Sequence, residues 1–168
     1  VASIPAARIQ IYFIDNDDYF SRRAILHDEE GKMFEDNADR AIFFARGMLE
    51  TVKELRWSPT IVHCHGWFSA VVPMYLKHVL YDDPLFRDVK VVVSLCDDSF
   101  EQPFNEGFAQ KVANEGVKDE KLADLMIERD KEGKPFTFYH YMIDLKGGPC
   151  IYKRISGCGS GTEYMAVT

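Results

Sequence analysis

Residues 58–80 read Ser58-Pro-Thr-Ile-Val-His-Cys-His-Gly-Trp-Phe-Ser-Ala-Val-Val-Pro-Met-Tyr-Leu-Lys-His-Val-Leu80. The pattern is strand, tight turn, helix. Thr60 to His65 is short, apolar and β-branched at its start, as a buried strand requires. Gly66 breaks it. From about Phe68 onward, Val71, Val72, Tyr75, Leu76 and Val79 recur at helical spacing. Pro73 fits if the regular helix starts near Val72, with Pro73 in its first turn. Side chains alternate along a strand, so Ile61, His63 and His65 share one face, and Val62 and Cys64 the other. His65, Gly66 and Trp67 then stand at the carboxyl end of the strand, before a helix amino terminus. Ligands of open α/β sheets bind at that rim, and the helix terminus favours anionic groups.

Downstream, Tyr81-Asp-Asp-Pro84 is a turn. Asp88 to Leu95 carries Val89, Val91, Val92 and Val93, the near-continuous apolar run of a parallel strand buried on both faces. It ends at Cys96-Asp97-Asp98. Strands 60–65 and 89–95 joined by one helix make a βαβ unit, right-handed by the general rule. Both end in polar residues on the same rim, and this is the strongest functional signal in the spacing. The predicted fold class is α/β.

Upstream, Arg8 to Ile14 reads as a strand, close enough to the start that further sequence is expected before Val1. It ends at Asp15-Asn-Asp-Asp18, which is turn chemistry or a second piece of site rim. Residues 19–32 are polar and loop-like. Asn37 is a candidate N-cap. Ala41, Phe44, Ala45, Met48, Val52 and Leu55 form the apolar face of a helix running to about Arg56. Beyond Asp98 the pattern weakens. Helices are expected over Phe104–Ala113 and Asp119–Asp130, and an aromatic-rich extended stretch over Pro135–Ile143. The domain is expected to cover 1–145. Residues 146–168, broken by Gly147, Gly148, Gly157, Gly159 and Gly161, read as an irregular Gly/Cys-rich tail.

The 168 residues suffice for one domain with a real core. A net charge of −7 argues against nucleic acid or an anionic membrane as partner. No apolar run approaches a membrane span, and the start carries no signal-peptide pattern. The four cysteines, Cys64, Cys96, Cys150 and Cys158, do not form a disulfide framework. Two lie in predicted strands, which suits a reducing cytosol, so a cytoplasmic location is expected.

The candidate side chains leave alternatives open. His63 and His65, at i and i+2, suit either a shared metal, with Asp97 or Asp98 as third ligand, or hydrogen-bonding and core roles. His65, nearer the rim, is either a ligand contact or a structural hydrogen bond. Trp67 either packs at the helix start or stacks on a sugar. Asp97 and Asp98 are paired acid/base groups or a cap after the strand. Cys64 and Cys96 read as small buried hydrophobes, since no base is placed beside either. Gly157-Cys-Gly-Ser-Gly161 is not read as a phosphate cradle, because no strand precedes it and no apolar helix follows.

Ile11-Tyr-Phe-Ile-Asp-Asn16, Phe34-Glu-Asp-Asn-Ala-Asp-Arg-Ala-Ile-Phe-Phe-Ala-Arg-Gly47, Trp57-Ser-Pro-Thr-Ile-Val-His-Cys-His-Gly-Trp67 and Lys90-Val-Val-Val-Ser94 together resemble one family. It is the amino-terminal domain of bacterial glycogen and starch synthases, glycosyltransferase family 5. Order and spacing agree over roughly residues 8 to 110. The resemblance implies a Rossmann-like, three-layer parallel sheet, part of the amino-terminal domain of the two-domain B-type glycosyltransferase fold. It implies transfer of glucose from a nucleotide-glucose donor, usually ADP-glucose, to an α-1,4-glucan with retention, without metal or cofactor. His63, His65 and Trp67 carry over directly. Gly66 stands where the family usually has Asp, Phe68 where it has His, and Cys96-Asp97 where it has His-Asn. The resemblance therefore assigns substrate binding to His65, Gly66, Trp67, Asp97 and Asp98. His63, Asp15 and Asn16 are expected as structural residues near the site. The family's Lys-x-Gly-Gly-Leu donor loop belongs before Val1, and its diphosphate-binding domain is not in this chain, so the isolated chain is expected to be inactive. Two rivals remain: a non-catalytic carbohydrate-binding or regulatory relative, and a metal-dependent hydrolase built on His63, His65 and Asp97.

Overall fold

The computed structural model describes residues 1–65, 67–69, 71–95, 111–112, 116, 151–154 and 163–167. The chain divides into two units, Val1–Phe34 and Glu35–Thr168, and each is described by itself.

In the first unit, β1 (Ala2–Ile4) pairs antiparallel with β2 (Ile9–Ile11), with Ala2 opposite Ile11. A 3-10 turn at Pro5–Ala7 joins them and ends on Arg8 in the left-handed region, at φ 53°. The strand expected over Arg8–Ile14 is therefore shortened to three residues and belongs to a local hairpin. Every residue of β1 and β2 is exposed. With no apolar layer covering it, the ladder lasts only as long as its hairpin partner. The acidic cluster that follows starts a helix, α1 (Asp17–Phe20). Asn16 is its N-cap: the side-chain oxygen accepts from the Tyr19 amide at 3.0 Å. Asp17 and Asp18 occupy the first turn, where negative charge is favoured.

In the second unit, α2 (Asn37–Glu54) ends two residues short of the expected boundary. Ala38, Ala41, Ala45, Leu49 and Val52, spaced three or four apart, form its buried stripe. Phe44 and Met48 flank this stripe half-buried, and Leu55, expected on it, is 45% exposed. Asn37 is not the N-cap. Asp36 holds that position, its carbonyl accepting from the Arg40 amide at 3.0 Å. Asn37 is fully buried, and its side-chain oxygen accepts from Arg40 Nη1 at 2.6 Å. A buried guanidinium is costlier to leave unsatisfied than a helix-end amide, so the Asn37 oxygen is used there.

The βαβ unit is present. β3 (Ile61–His65) runs parallel to β4 (Lys90–Leu95), with Ile61 opposite Lys90 and His65 opposite Ser94. Between them lie a 3-10 turn at Trp67–Ser69 and α3 (Val72–His78), with Pro73 in its first turn as expected. Val71, Val72, Met74 and Tyr75 are fully buried, as are Ala41, Ala45 and Leu49 of α2. Leu76, Leu80, Phe86 and Val112 are also buried, and Lys111 Nζ reaches Asp39 Oδ2 at 2.7 Å.

The sheet is mixed, not parallel throughout. Its order is β3-β4-β6-β5, with β5 (Ile151–Arg154) and β6 (Glu163–Val167) both within the stretch read as irregular. β6 pairs antiparallel with β4 and with β5. The two are close in sequence, which allows an antiparallel pair, whereas a parallel one needs a long crossover. Nor is the parallel pair buried on both faces: Ile61, His63 and His65 are exposed, and Val91 and Val92 half-buried. The expected elements at 119–130 and 135–143 lie outside the described residues. So do Gly66, Cys96, Asp97 and Asp98, and the expected helix at 104–113 apart from Lys111 and Val112, which are helical. No helix among the described residues is long and apolar enough to cross a membrane.

Candidate functional site

Strand alternation sorts β3 as expected. Cys64 is 2% exposed, whereas Ile61 is 56% exposed and both histidines are open. Burial pushes the Cys64 thiol up from 9.0 to about 12, because the thiolate would lose its hydration. This leaves Cys64 an inert packing group. The core position expected as one role for His63 is not found; it lies on the exposed face with His65. Their ring centroids are 6.2 Å apart, with planes inclined by 56°. Among the described residues no three His, Cys, Asp or Glu side chains come together as a metal site.

The register fixes the rim. His65 pairs with Ser94, so the carboxyl ends of β3 and β4 lie side by side. The chain leaves β3 through a closed turn, in which Ser69 Oγ donates to the His65 carbonyl at 3.0 Å. Trp67, Phe68 and Ser69 form this 3-10 turn. Phe68 sits edge-on to Phe44 of α2, with centroids 6.5 Å apart and planes at 72°. The Arg40 guanidinium carbon is 5.0 Å from the Phe68 centroid. Arg40 is only 2% exposed. Beside the turn lies a cavity of about 410 Å³, lined by β3 together with Phe44, Met48, Val52, Trp57 and Phe68. Sequence reading missed Asn37, Arg40 and Phe68 as supports of this region. The available signal was a polar pair at i and i+3 within the buried stripe of an amphipathic helix.

Asn16 belongs to the first unit, where it caps α1. Asp97 and Asp98 follow β4 in sequence, and their placement lies outside the described residues.

The starch synthase catalytic domain is the family whose model matches the chain, over residues 1–158. A glycogen synthase from Pelodictyon phaeoclathratiforme is 38% identical over 96 residues, covering 56% of this chain and 20% of that protein. One from Chlorobium chlorochromatii is 32% identical over 139 residues, covering 82% of this chain and 27% of that protein. One from Desulforamulus reducens is 32% identical over 108 residues, covering 64% and 21%. The chain thus spans only 20–27% of these relatives' lengths. No solved structure matches it. The match over residues 1–158 agrees with the resemblance carried by residues 8 to 110, and the chain belongs to the starch synthase catalytic domain family of glycosyltransferases.

Proposed function

We propose that this chain forms the sugar-side wall of a glycogen synthase-like enzyme. The enzyme transfers glucose from a nucleotide-glucose, ADP-glucose first among candidates, to an α-1,4-glucan with retention of configuration. The chain then belongs to a Rossmann-like, three-layer amino-terminal domain of a B-type glycosyltransferase, and works in the cytoplasm. The observation that carries this reading is the register of β3 and β4, taken with the family match over 1–158. Parallel strands with aligned carboxyl ends are where open α/β sheets bind ligands.

In this reading the rim residues divide the work. The His65 imidazole hydrogen-bonds sugar hydroxyls from the end of β3. Gly66, lacking a Cβ, lets the sugar approach the backbone closely. Trp67 offers an apolar ring to a pyranose face. Asp97 and Asp98 accept from sugar hydroxyls at the end of β4. As the glycosidic bond to the diphosphate breaks, the sugar gains oxocarbenium character, and groups already oriented toward it need no reorganisation. Positive groups for the departing diphosphate come from outside this chain.

The test is incorporation of ADP-[14C]glucose into glycogen. The 168-residue chain alone is expected to give none, and a protein spanning the relatives' full length is expected to incorporate label. Turnover by the isolated chain overturns the division of the site. Glucan binding without transfer by the longer protein favours a non-catalytic carbohydrate-binding relative, a reading supported by Gly66, Phe68 and Cys96-Asp97 at positions where the resemblance expects other residues.

A further inference from the structure

Arg40 is buried to 2% exposure on α2, beside the stripe of Ala38, Ala41, Ala45, Leu49 and Val52. A buried guanidinium carries a desolvation cost that an apolar side chain of similar volume avoids. Arg40 Nη1 donates to Asn37 at 2.6 Å, and the guanidinium carbon lies 5.0 Å from the Phe68 centroid, within cation–π range. Phe68 also meets Phe44 edge-on. Residues 40 and 44 are one helical turn apart, so α2 meets a single ring with two of its side chains, a guanidinium over the ring and a T-shaped phenyl. That ring belongs to the 67–69 turn, which Ser69 closes onto the His65 carbonyl.

We propose that Arg40 is a positioning residue for the rim: set over the Phe68 ring, it fixes the 67–69 turn and so sets where the end of β3 at His65 meets the sugar. The role in sugar binding rests on the function proposed above; the clamp itself does not. Arg is suited to it because a planar, weakly hydrated guanidinium stacks on an aromatic face, which a compact ammonium does less well.

The test is backbone hydrogen exchange on the 168-residue chain, read on peptides spanning 65–71 and, as reference, 42–55. Arg40→Lys and Phe68→Leu are each expected to speed exchange in 65–71 by about fivefold or more while 42–55 stays at its wild-type rate, as local opening requires. Phe68→Tyr, which keeps the ring face, is expected to exchange at the wild-type rate. Unchanged exchange at 65–71 in both Arg40→Lys and Phe68→Leu overturns the clamp. So does an equal rise in 42–55, which makes Arg40 an ordinary core residue. Phe68→Leu keeps the test decisive if Arg40→Lys does not fold. In the longer, transferring protein, Arg40→Lys is expected to raise the donor KM about fivefold and lower kcat about tenfold, because an altered site moves both. A loss of folded protein lowers apparent kcat alone, and that result overturns the positioning role. Absence of transfer by the unsubstituted longer protein defeats the functional reading instead, with the exchange result standing separately.

Discussion

Raising the pH through the range of the Cys64 thiol should destabilise the protein by an amount that the structure sets. Burial holds this thiol at about 12, against 9.0 for an ordinary one. Its folded-state pKa is raised, so the folded protein keeps the proton after the unfolded chain has released it. The associated stability is fully present below pH 9 and is lost as pH rises from 9 toward 12, by at most about 1.4 kcal/mol per unit. Cys64→Ala removes the titrating group and serves as reference for every other group ionising there. At pH 7 the variant should be less stable by about 1–2 kcal/mol, through loss of a buried sulfur. By pH ~10.5 wild type has lost roughly 2 kcal/mol relative to the variant, so the two stabilities cross between about pH 9.7 and about pH 10.5. Urea unfolding at pH 7, 9, 10 and 11 reads this directly. Peptide-resolved alkylation gives a second reading, because the thiolate is the nucleophile: at pH 8 Cys64 should label about a thousandfold more slowly than a free cysteine. A stability gap that stays constant to pH 11, or labelling at the free-thiol rate, refutes the burial argument.

Leu49→Ala, at 1% exposure in the α2 stripe, should cost about 2–5 kcal/mol in urea unfolding. Asn16→Ala removes the α1 cap and should cost about 0.5–2 kcal/mol locally, seen as faster exchange of the Tyr19 amide with residues 42–55 unaffected. In the longer, transferring protein, His65→Ala and Asp97→Ala should each lower transfer by about 10²–10³, or ~2–4 kcal/mol, by analogy with removal of a pre-organised donor. The thermal midpoint of His65→Ala should stay at the wild-type value because the side chain is exposed.

The βαβ unit was legible because its determinants are local. Thr60–His65 and Val89–Leu95 are short β-branched runs, and Pro73 falls where a helix tolerates it. Their parallel pairing then follows from the intervening helix. What escaped was non-local. β5 and β6 are four and five residues long, with a glycine-rich stretch between them in sequence, and each becomes a strand only against a partner. Arg8–Ile14 had the composition of a longer strand but found only a three-residue hairpin partner. Asn37 had the chemistry of a cap, yet Arg40 one turn along took its oxygen. A hydrogen-bonding or core role was one expectation for His63 on a strand read as buried, and the histidine face of β3 is open.

That open face separates chemistry from stability within a single strand. Cys64 and His65 are neighbours in sequence and opposite in environment: one is 2% exposed with a raised thiol pKa, and the other stands open at the strand end. The backbone of His65 is held twice over, by its pairing with Ser94 and by the Ser69 hydroxyl on its carbonyl. Neither restraint uses the imidazole. The side chain at 65 lies on the exposed face, open to solvent, while the side chain at 64 answers to packing. Closure of the turn depends on a backbone carbonyl and Ser69, and its anchorage on a ring held by α2. Under the proposed function, replacing the imidazole at 65 alters a sugar contact while the backbone restraints on the strand end stay in place, whereas replacing Phe68 removes the ring that α2 holds.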